Sequence, residues 1–239
     1  MASDRAPETS PPLSGADLDP TTIERHKDAA ARAAAELVQD GMSVGLGTGS
    51  TVAYLLAALG ERAKELRGAR CVATSPATAA IARDLGLTVA ELDDVGELDV
   101  AIDGADQVDP DGWLIKGGGG AHTREKIVAI SARRFVVIVS AEKEVPRLGP
   151  PVPVEVLRFG ARRTLIALGD ARPRNVGASP DGNLIADYLG PIANARALAE
   201  RLSGTAGVVE HGLFPPEIVS EIFVAGTDGV RHREGDKRA

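Results

Sequence analysis

Residues 123–143, TREKIVAISARRFVVIVSAEK, decide the fold. The first ten read as a helix, and RFVVIVS (134–140) is an unbroken apolar run that closes on the polar cluster SAEK (140–143). A strand without alternation is apolar on both faces, which argues for a parallel sheet covered by helices on both sides. The sequence upstream repeats this pattern. A helix is expected over Thr21–Gln39, with Thr21 or Thr22 as its cap and Gly41 as its stop. MSVGLG (42–47) reads as a strand and TGSTVAYLLAAL (48–59) as the start of a helix. ARCVATS (69–75) and PATAAIARDLG (76–86) form a second strand–helix pair. LTVAEL (87–92) and LDVAIDGAD (98–106) are short apolar runs ending in acids, and WLIKGGGG (113–120) is a strand running into glycines. Alternating strands and helices of this kind define an α/β class protein with a Rossmann-like parallel sheet.

The pattern changes at the proline-rich stretch LGPPVPVEV (148–156). Beyond it the order is strand VEVLRF, helix ARRTLIALG, strands near ARPRNV and NLIADY, helix ANARALAERL and strand GVVEHGLF. This βαββαβ order is the ferredoxin-like α+β arrangement. EIFVAG (221–226) is one more apolar strand, expected to return to the first sheet. The expected organisation is a tail over 1–20, a Rossmann-like catalytic domain over 21–150 plus 218–232, an inserted α+β domain over 151–217, and a tail over 233–239. MASDRAPETSPPLSGADLDP and RHREGDKRA, polar and rich in proline or charge, read as disordered tails.

Composition narrows the function classes. A formal charge of -7 over 239 residues argues against a general nucleic-acid binder but allows small anionic ligands, because a site is local and net charge global. No window approaches the ~20 apolar residues of a membrane helix, and the N-terminus lacks the apolar core of a secretory signal. A single cysteine, Cys71, cannot form an internal disulfide and reads as a buried structural thiol. The cytoplasm is the expected compartment. The four histidines are dispersed, without zinc spacing, and neither a metal nor a cofactor is expected.

Four polar clusters fall where ligands bind in open sheets, beyond the carboxyl ends of strands: GTGST (47–51), DGAD (103–106), KGGGG (116–120) and SAEK. GTGST places glycines and hydroxyls at a helix start, where free N–H groups favour a phosphate. It lacks the lysine of a P-loop and has GxGxG rather than dinucleotide spacing, so a small phosphorylated ligand fits better than a nucleotide. Asp103 and Asp106 could bind sugar hydroxyls; taken alone, such aspartates are also common turn caps. In KGGGGAHTREK (116–126), Lys116 and bare backbone could hold an oxyanion, while Glu125 takes a proton from the carbon beside a carbonyl. Side chains at the glycines would fill the space a sugar needs. A solvated lysine and a first-turn acid are the plainer readings, and the joint occurrence with DGAD and GTGST outweighs them.

GTGST, DGAD, KGGGGAHTREK, PVEV (153–156) and GTDGV (226–230), in this order and spacing, resemble the type A ribose-5-phosphate isomerase family, from about Thr21 to Val230. The resemblance implies a metal-independent aldose–ketose isomerase of the pentose phosphate pathway, interconverting ribose 5-phosphate and ribulose 5-phosphate. It implies a homodimer or dimer of dimers. It makes Glu125 the base that moves a proton between C2 and C1. Lys116 and the backbone of Gly117, Gly118 and Gly119 stabilise the enediolate. Asp103, with Gly104, Ala105 and Asp106, binds the sugar, and Asp103 helps open the ring. Thr48, Gly49, Ser50 and Thr51 lie near the phosphate, with Lys143 and Lys27 as further lysines. His122, at a position often apolar in the family, is expected at the pocket edge without a catalytic duty. Two other readings share the fold: a sugar-phosphate-sensing domain, disfavoured by the absence of a helix-turn-helix, and an amino-sugar-phosphate isomerase/deaminase.

Overall fold

The computed structural model describes residues 19–237. In chain order the elements are α1 (Pro20–Ala35), β1 (Ser43–Leu46), α2 (Ser50–Glu61), β2 (Arg70–Ala73), α3 (Pro76–Asp84), α4 (Leu92–Val95), β3 (Leu98–Asp103), β4 (Gln107–Val108), β5 (Leu114–Ile115), α5 (His122–Ile130) and β6 (Ala132–Ser140). They continue with β7 (Val152–Val156), α6 (Ala161–Leu168), β8 (Ala171–Pro173), β9 (Leu184–Tyr188), α7 (Ala195–Ser203), β10 (Val208–His211), β11 (Leu213–Phe214), β12 (Glu221–Gly226) and β13 (Gly229–Glu234).

The main sheet has the order β13-β12-β6-β3-β1-β2 and is parallel except for β13. Its long central strand is the unbroken apolar run, with Phe135 to Ser140 all buried. One face packs Ala30, Ala34, Leu55 and Leu59 of α1 and α2 on Leu46, Ile102, Val136 and Ile138. The other packs Val128 and Ala129 of α5 on Ala101, Phe135, Val137 and Val139. Alternate side chains of β6 thus enter opposite cores, and that is why the run shows no polar alternation. Gly45 lets α5 come close: a β-carbon there would stand 2.5 Å from Val128 Cγ1.

β7 to β10 form a second, antiparallel sheet of order β10-β7-β9-β8, accompanied by α6 and α7. This is the strand order of the βαββαβ unit. EIFVAG pairs parallel with β6, so the chain does return to the first sheet. A third sheet, β11-β5-β4, joins the two parts, because β11 follows β10 while β4 and β5 follow β3.

Three expectations need correction. The cap of α1 is Asp19, whose Oδ1 accepts the Thr21 N–H at 3.1 Å; Pro20 occupies the first helical turn, where a missing N–H costs nothing, and the helix ends at Ala35 rather than Gln39. Residues 19 and 20 are therefore cap and helix rather than tail. At the other end, RHREGDKRA begins inside a strand: Arg231 to Glu234 pair with β12, and the Gly235 and Lys237 N–H groups donate to Ser220 and Val219. An edge strand held by backbone bonds and charged side chains carries no apolar pattern, so composition does not reveal it. Thirdly, KGGGG does not follow a strand of the parallel sheet; β5 belongs to the antiparallel third sheet. The expected tails at 1–18 and 238–239 lie outside the described residues.

Candidate active site

The parallel sheet runs β1 to β2 in one direction and β3 to β6 in the other, so β1 and β3 flank its topological switch point. The loops leaving these two strands carry GTGST and DGAD. Between them and the glycine loop lies a cavity of about 210 Å³ lined by Thr48, Gly49, Ser50, Thr51, Gly104, Ala105, Asp106, Lys116, Gly117, Gly118, Gly119, Glu125 and Lys143. Three hollows of about 530–590 Å³ lie elsewhere, but the small one brings together the buried Lys116 and Glu125.

Lys116 is the centre of this site. Its side chain is 3% exposed, and Nζ lies 2.5 Å from the Gly104 carbonyl, 2.8 Å from Asp103 Oδ2 and 3.2 Å from Glu125 Oε2. The Phe214 ring lies on another side, its centroid 5.5 Å from Nζ. Burial works against the charged ammonium, but Asp103 and Glu125 together raise its pKa above the usual lysine value. Burial raises Asp103 likewise. It pushes Glu125 up to about 8, with Lys116 opposing that rise and Asp103 adding to it. Both oxygens facing the ammonium lie within ion-pair distance, yet neither Asp103 Oδ2 nor Glu125 Oε2 has an aligned hydrogen bond among the described residues. A buried carboxylate with spare acceptor capacity and a pKa near neutrality is suited to exchange a proton.

Asp103 stands behind the cavity wall rather than in it. Its Oδ1 accepts the N–H groups of Thr48 at 3.2 Å and Gly104 at 2.7 Å, tying the β1 and β3 loops together. Gly47 is required here, since a β-carbon would overlap the Asp103 carboxyl group. Thr48 is also committed to structure: its hydroxyl bonds those of Thr74 and Thr78 at 2.8 and 3.2 Å. Among GTGST, the N–H groups of Gly49, Ser50 and Thr51 at the start of α2 are the ones left for an anion.

The glycine loop is constrained mainly by protein neighbours, which corrects the expectation that a sugar alone requires its glycines. Gly117 has φ +101°, and a β-carbon there would lie 2.6 Å from His122 Nδ1. One at Gly118 would lie 2.8 Å from Asp106 Oδ1, and Gly120 has φ +75°. Of Gly117 to Gly120, Gly119 alone combines ordinary room with a backbone conformation open to other residues. The Gly118 N–H donates to Asp106 Oδ2 at 2.8 Å, so this amide is not free for an enediolate. His122 is fully buried beneath the loop and does not reach the pocket edge; burial brings its pKa down to about 4, leaving a neutral ring. Lys27 is not brought to the cavity: its ammonium pairs with Glu24 at 2.8 Å. Cys71 is buried, and burial pushes its thiol up to about 11, as suits an inert structural residue.

No local pattern marked Arg174, in the loop after β8, which donates from Nη1 to the carbonyls of Gly117 and Gly118 at 3.0 and 2.9 Å. Nor did any mark Phe214, Thr74 or Thr78 as neighbours of the site. These contacts span gaps of 26 residues or more, beyond the reach of local pattern. No helix among the described residues is long and apolar enough to cross a membrane.

A buried carboxylate–lysine pair opening on a small, phosphate-compatible cavity at a switch point defines an enzyme that moves protons on a small anionic substrate. The known proteins similar to this chain are named as one such enzyme. The profile of ribose 5-phosphate isomerase A (phosphoriboisomerase A) matches residues 70–229. Ribose-5-phosphate isomerase A of Chloroflexus aurantiacus is 44% identical over 229 residues, covering 90% of this chain and 95% of the relative. That of Caulobacter vibrioides is 46% identical over 225 residues, covering 87% and 97%. The solved ribose 5-phosphate isomerase A of Methanocaldococcus jannaschii superposes with a TM-score of 0.83 at 36% identity, covering 88% of this chain and 99% of that one. A D-ribose-5-phosphate isomerase in complex with phospho-erythronic acid gives 0.84 at 36%, covering 89% and 99%. The chain belongs to the ribose 5-phosphate isomerase A family.

Proposed function

We propose that Glu125 and Lys116 carry out the central step of the family's reaction in this protein, the interconversion of D-ribose 5-phosphate and D-ribulose 5-phosphate in the pentose phosphate pathway. In the open-chain aldose, Glu125 takes the proton from C2, the electron pair forms the C1–C2 double bond, and negative charge collects on O1. Lys116, already charged and desolvated, stabilises that oxygen. The proton then returns from Glu125 to C1, and the O2 hydroxyl gives its proton up to O1 as the ketone forms. Gly49, Ser50, Thr51 and Lys143 hold the phosphate. Asp106, Gly104 and Ala105 border the sugar, and Asp103 fixes Lys116 and both loops while assisting ring opening. The observation that carries this reading is the buried Lys116–Glu125 pair, 3.2 Å apart, on the wall of a cavity of about 210 Å³. Phospho-erythronic acid, found bound in a solved relative, has a planar carboxylate where an enediolate would form, and such a mimic fits this cavity's chemistry.

The two-domain division at 21–150 plus 218–232 and 151–217, a homodimer or dimer of dimers, and a cytoplasmic location complete the proposal. The test is ketose formation from ribose 5-phosphate by the purified protein with EDTA present. Rapid conversion is expected. A folded protein that gives none would overturn the assignment.

A further inference from the structure

We propose that Arg174 is a positioning residue for the isomerisation: it orients the glycine loop so that the Gly119 N–H joins Lys116 as the second donor to the developing oxyanion. This rests on the isomerase reading above.

The second sheet supplies none of the cavity-lining residues, yet the loop that follows its strand β8 reaches the site through the side chain of Arg174. Arg174 follows β8, and its guanidinium is gripped on one edge by Asp187 of β9: Nε donates to Oδ2 at 3.0 Å and Nη2 to Oδ1. The opposite edge donates from Nη1 to the Gly117 and Gly118 carbonyls at 3.0 and 2.9 Å. The pair is mostly buried, with side-chain exposures of 17% and 20%. Asp187 fixes the fork and so lowers the rotamer freedom that Arg174 would lose in holding the loop.

The consequence follows from peptide geometry. In a planar trans peptide, C=O and N–H point in opposite directions. The 117–118 peptide is fixed at both ends, its carbonyl by Arg174 and by the Gly120 N–H, its own N–H by Asp106 Oδ2. The 118–119 peptide has its carbonyl on Arg174, which turns the Gly119 N–H to the opposite side. That N–H has no partner among the described residues, and Gly119 lines the cavity. Two carbonyls held by one cation also polarise their peptides, making the far N–H a stronger donor. Without Arg174, the 118–119 peptide, flanked by glycines and with no other partner among the described residues, could rotate, and the donor would lose its aim.

The test compares Arg174→Ala and Arg174→Lys with the wild-type chain in steady-state ribose 5-phosphate isomerisation, well below each variant's melting temperature. Arg172→Gln, which removes a neighbouring exposed cation, is the control. The expected result is a fall in kcat of about 10–100-fold for Arg174→Ala, with KM changed by less than about threefold. Affinity for phospho-erythronic acid should fall with kcat rather than with KM. Arg174→Lys, having one charge but no fork, should recover only part of kcat, and added methylguanidinium should restore part of the activity of Arg174→Ala. Folded Arg174 variants with kcat within twofold of wild type, or with a raised KM alone, would overturn the proposal. A lowered melting temperature with unchanged kcat would also overturn it, showing a structural role only. If the wild type itself gives no ketose, the isomerase reading fails first; if wild type and variants convert equally, this proposal alone fails.

Discussion

The two loops that meet across the cavity are built in opposite ways. GTGST leaves a strand of the parallel sheet and enters α2 directly; its conformation is set by its own strand, by Asp103 of the adjacent strand and by the hydroxyls of Thr74, just after β2, and Thr78 of α3. The glycine loop leaves a two-residue strand of a small antiparallel sheet and is held by side chains from elsewhere: Asp106, His122 and Arg174. The first loop is a feature of the sheet, and its anion site follows from any helix that begins at a switch point. The second is a joint between two sheets, and its geometry depends on partners that are up to 57 residues apart in sequence. In the proposed mechanism, ground-state binding of the phosphate falls to the first loop and stabilisation of the transition state to the second.

This division can be broken by substitution, and the largest effect is expected at Lys116. Lys116→Met removes the oxyanion's cation and leaves Asp103 and Glu125 facing each other in a buried site. We expect kcat to fall about 10²–10³-fold, as for loss of an oxyanion donor, and unfolding free energy in urea to fall by about 3–5 kcal/mol at neutral pH, as for a broken buried ion pair. Comparable turnover would remove Lys116 from the reaction. Gly47→Ala comes next. Its β-carbon must displace Asp103, so a loss of about 1–3 kcal/mol is expected from overpacking, with kcat reduced through the displaced Lys116. Unchanged stability would mean that Asp103 does not occupy the position described. Lys143→Ala should raise KM more than it lowers kcat, since a phosphate contact is uniform to substrate and transition state; a fall in kcat alone would place Lys143 at the reacting carbons instead. His122→Leu should have the smallest effect. The ring is neutral and buried, with Nδ1 unpartnered among the described residues and Nε2 only 3.4 Å from the Glu210 carbonyl. Removing an unsatisfied buried polar atom costs nothing and can stabilise by about 1 kcal/mol. Thermal unfolding and kcat should both stay near wild type, and a tenfold loss of kcat would show a role that burial conceals.

The same contrast explains how much was legible in the sequence. The β6 run, the strand–helix alternation and the βαββαβ order follow from hydrophobic period and chain punctuation, which are local. The cavity-lining residues were legible too, because GTGST, DGAD and KGGGGAHTREK are contiguous motifs that keep their chemistry next to their glycines. The layer behind them was not. Nothing in ARPRNV marks Arg174 as the residue that grips a loop more than fifty positions earlier. Nothing in GTGST shows that Thr48 turns its hydroxyl away from the cavity to Thr74. The polar strand β13 was read as a tail because edge pairing leaves no apolar trace. Lys27 illustrates the converse: the family resemblance placed it near the phosphate, while the structure pairs it with Glu24.

The protonation of Glu125 tests the central claim most directly. Its folded pKa is raised to about 8, so the conjugate acid is favoured below that value and the base form above it. By linkage, its contribution to stability is full below the ordinary carboxylate range and is lost as pH rises through about 8, while the base needed for proton abstraction is gained over the same interval. The measurement is kcat/KM for ribose 5-phosphate from pH 6 to 9, with solvent deuterium incorporation into the sugar, for wild type and Glu125→Gln. The account predicts an acidic limb near pH 8 in the wild type, deuterium at the exchanged carbon, and a variant that folds, lacks this limb and is slower by about 10²–10⁴-fold at the alkaline end, the gap narrowing toward pH 6. A Glu125→Gln protein that converts substrate and exchanges deuterium at wild-type rates would contradict it.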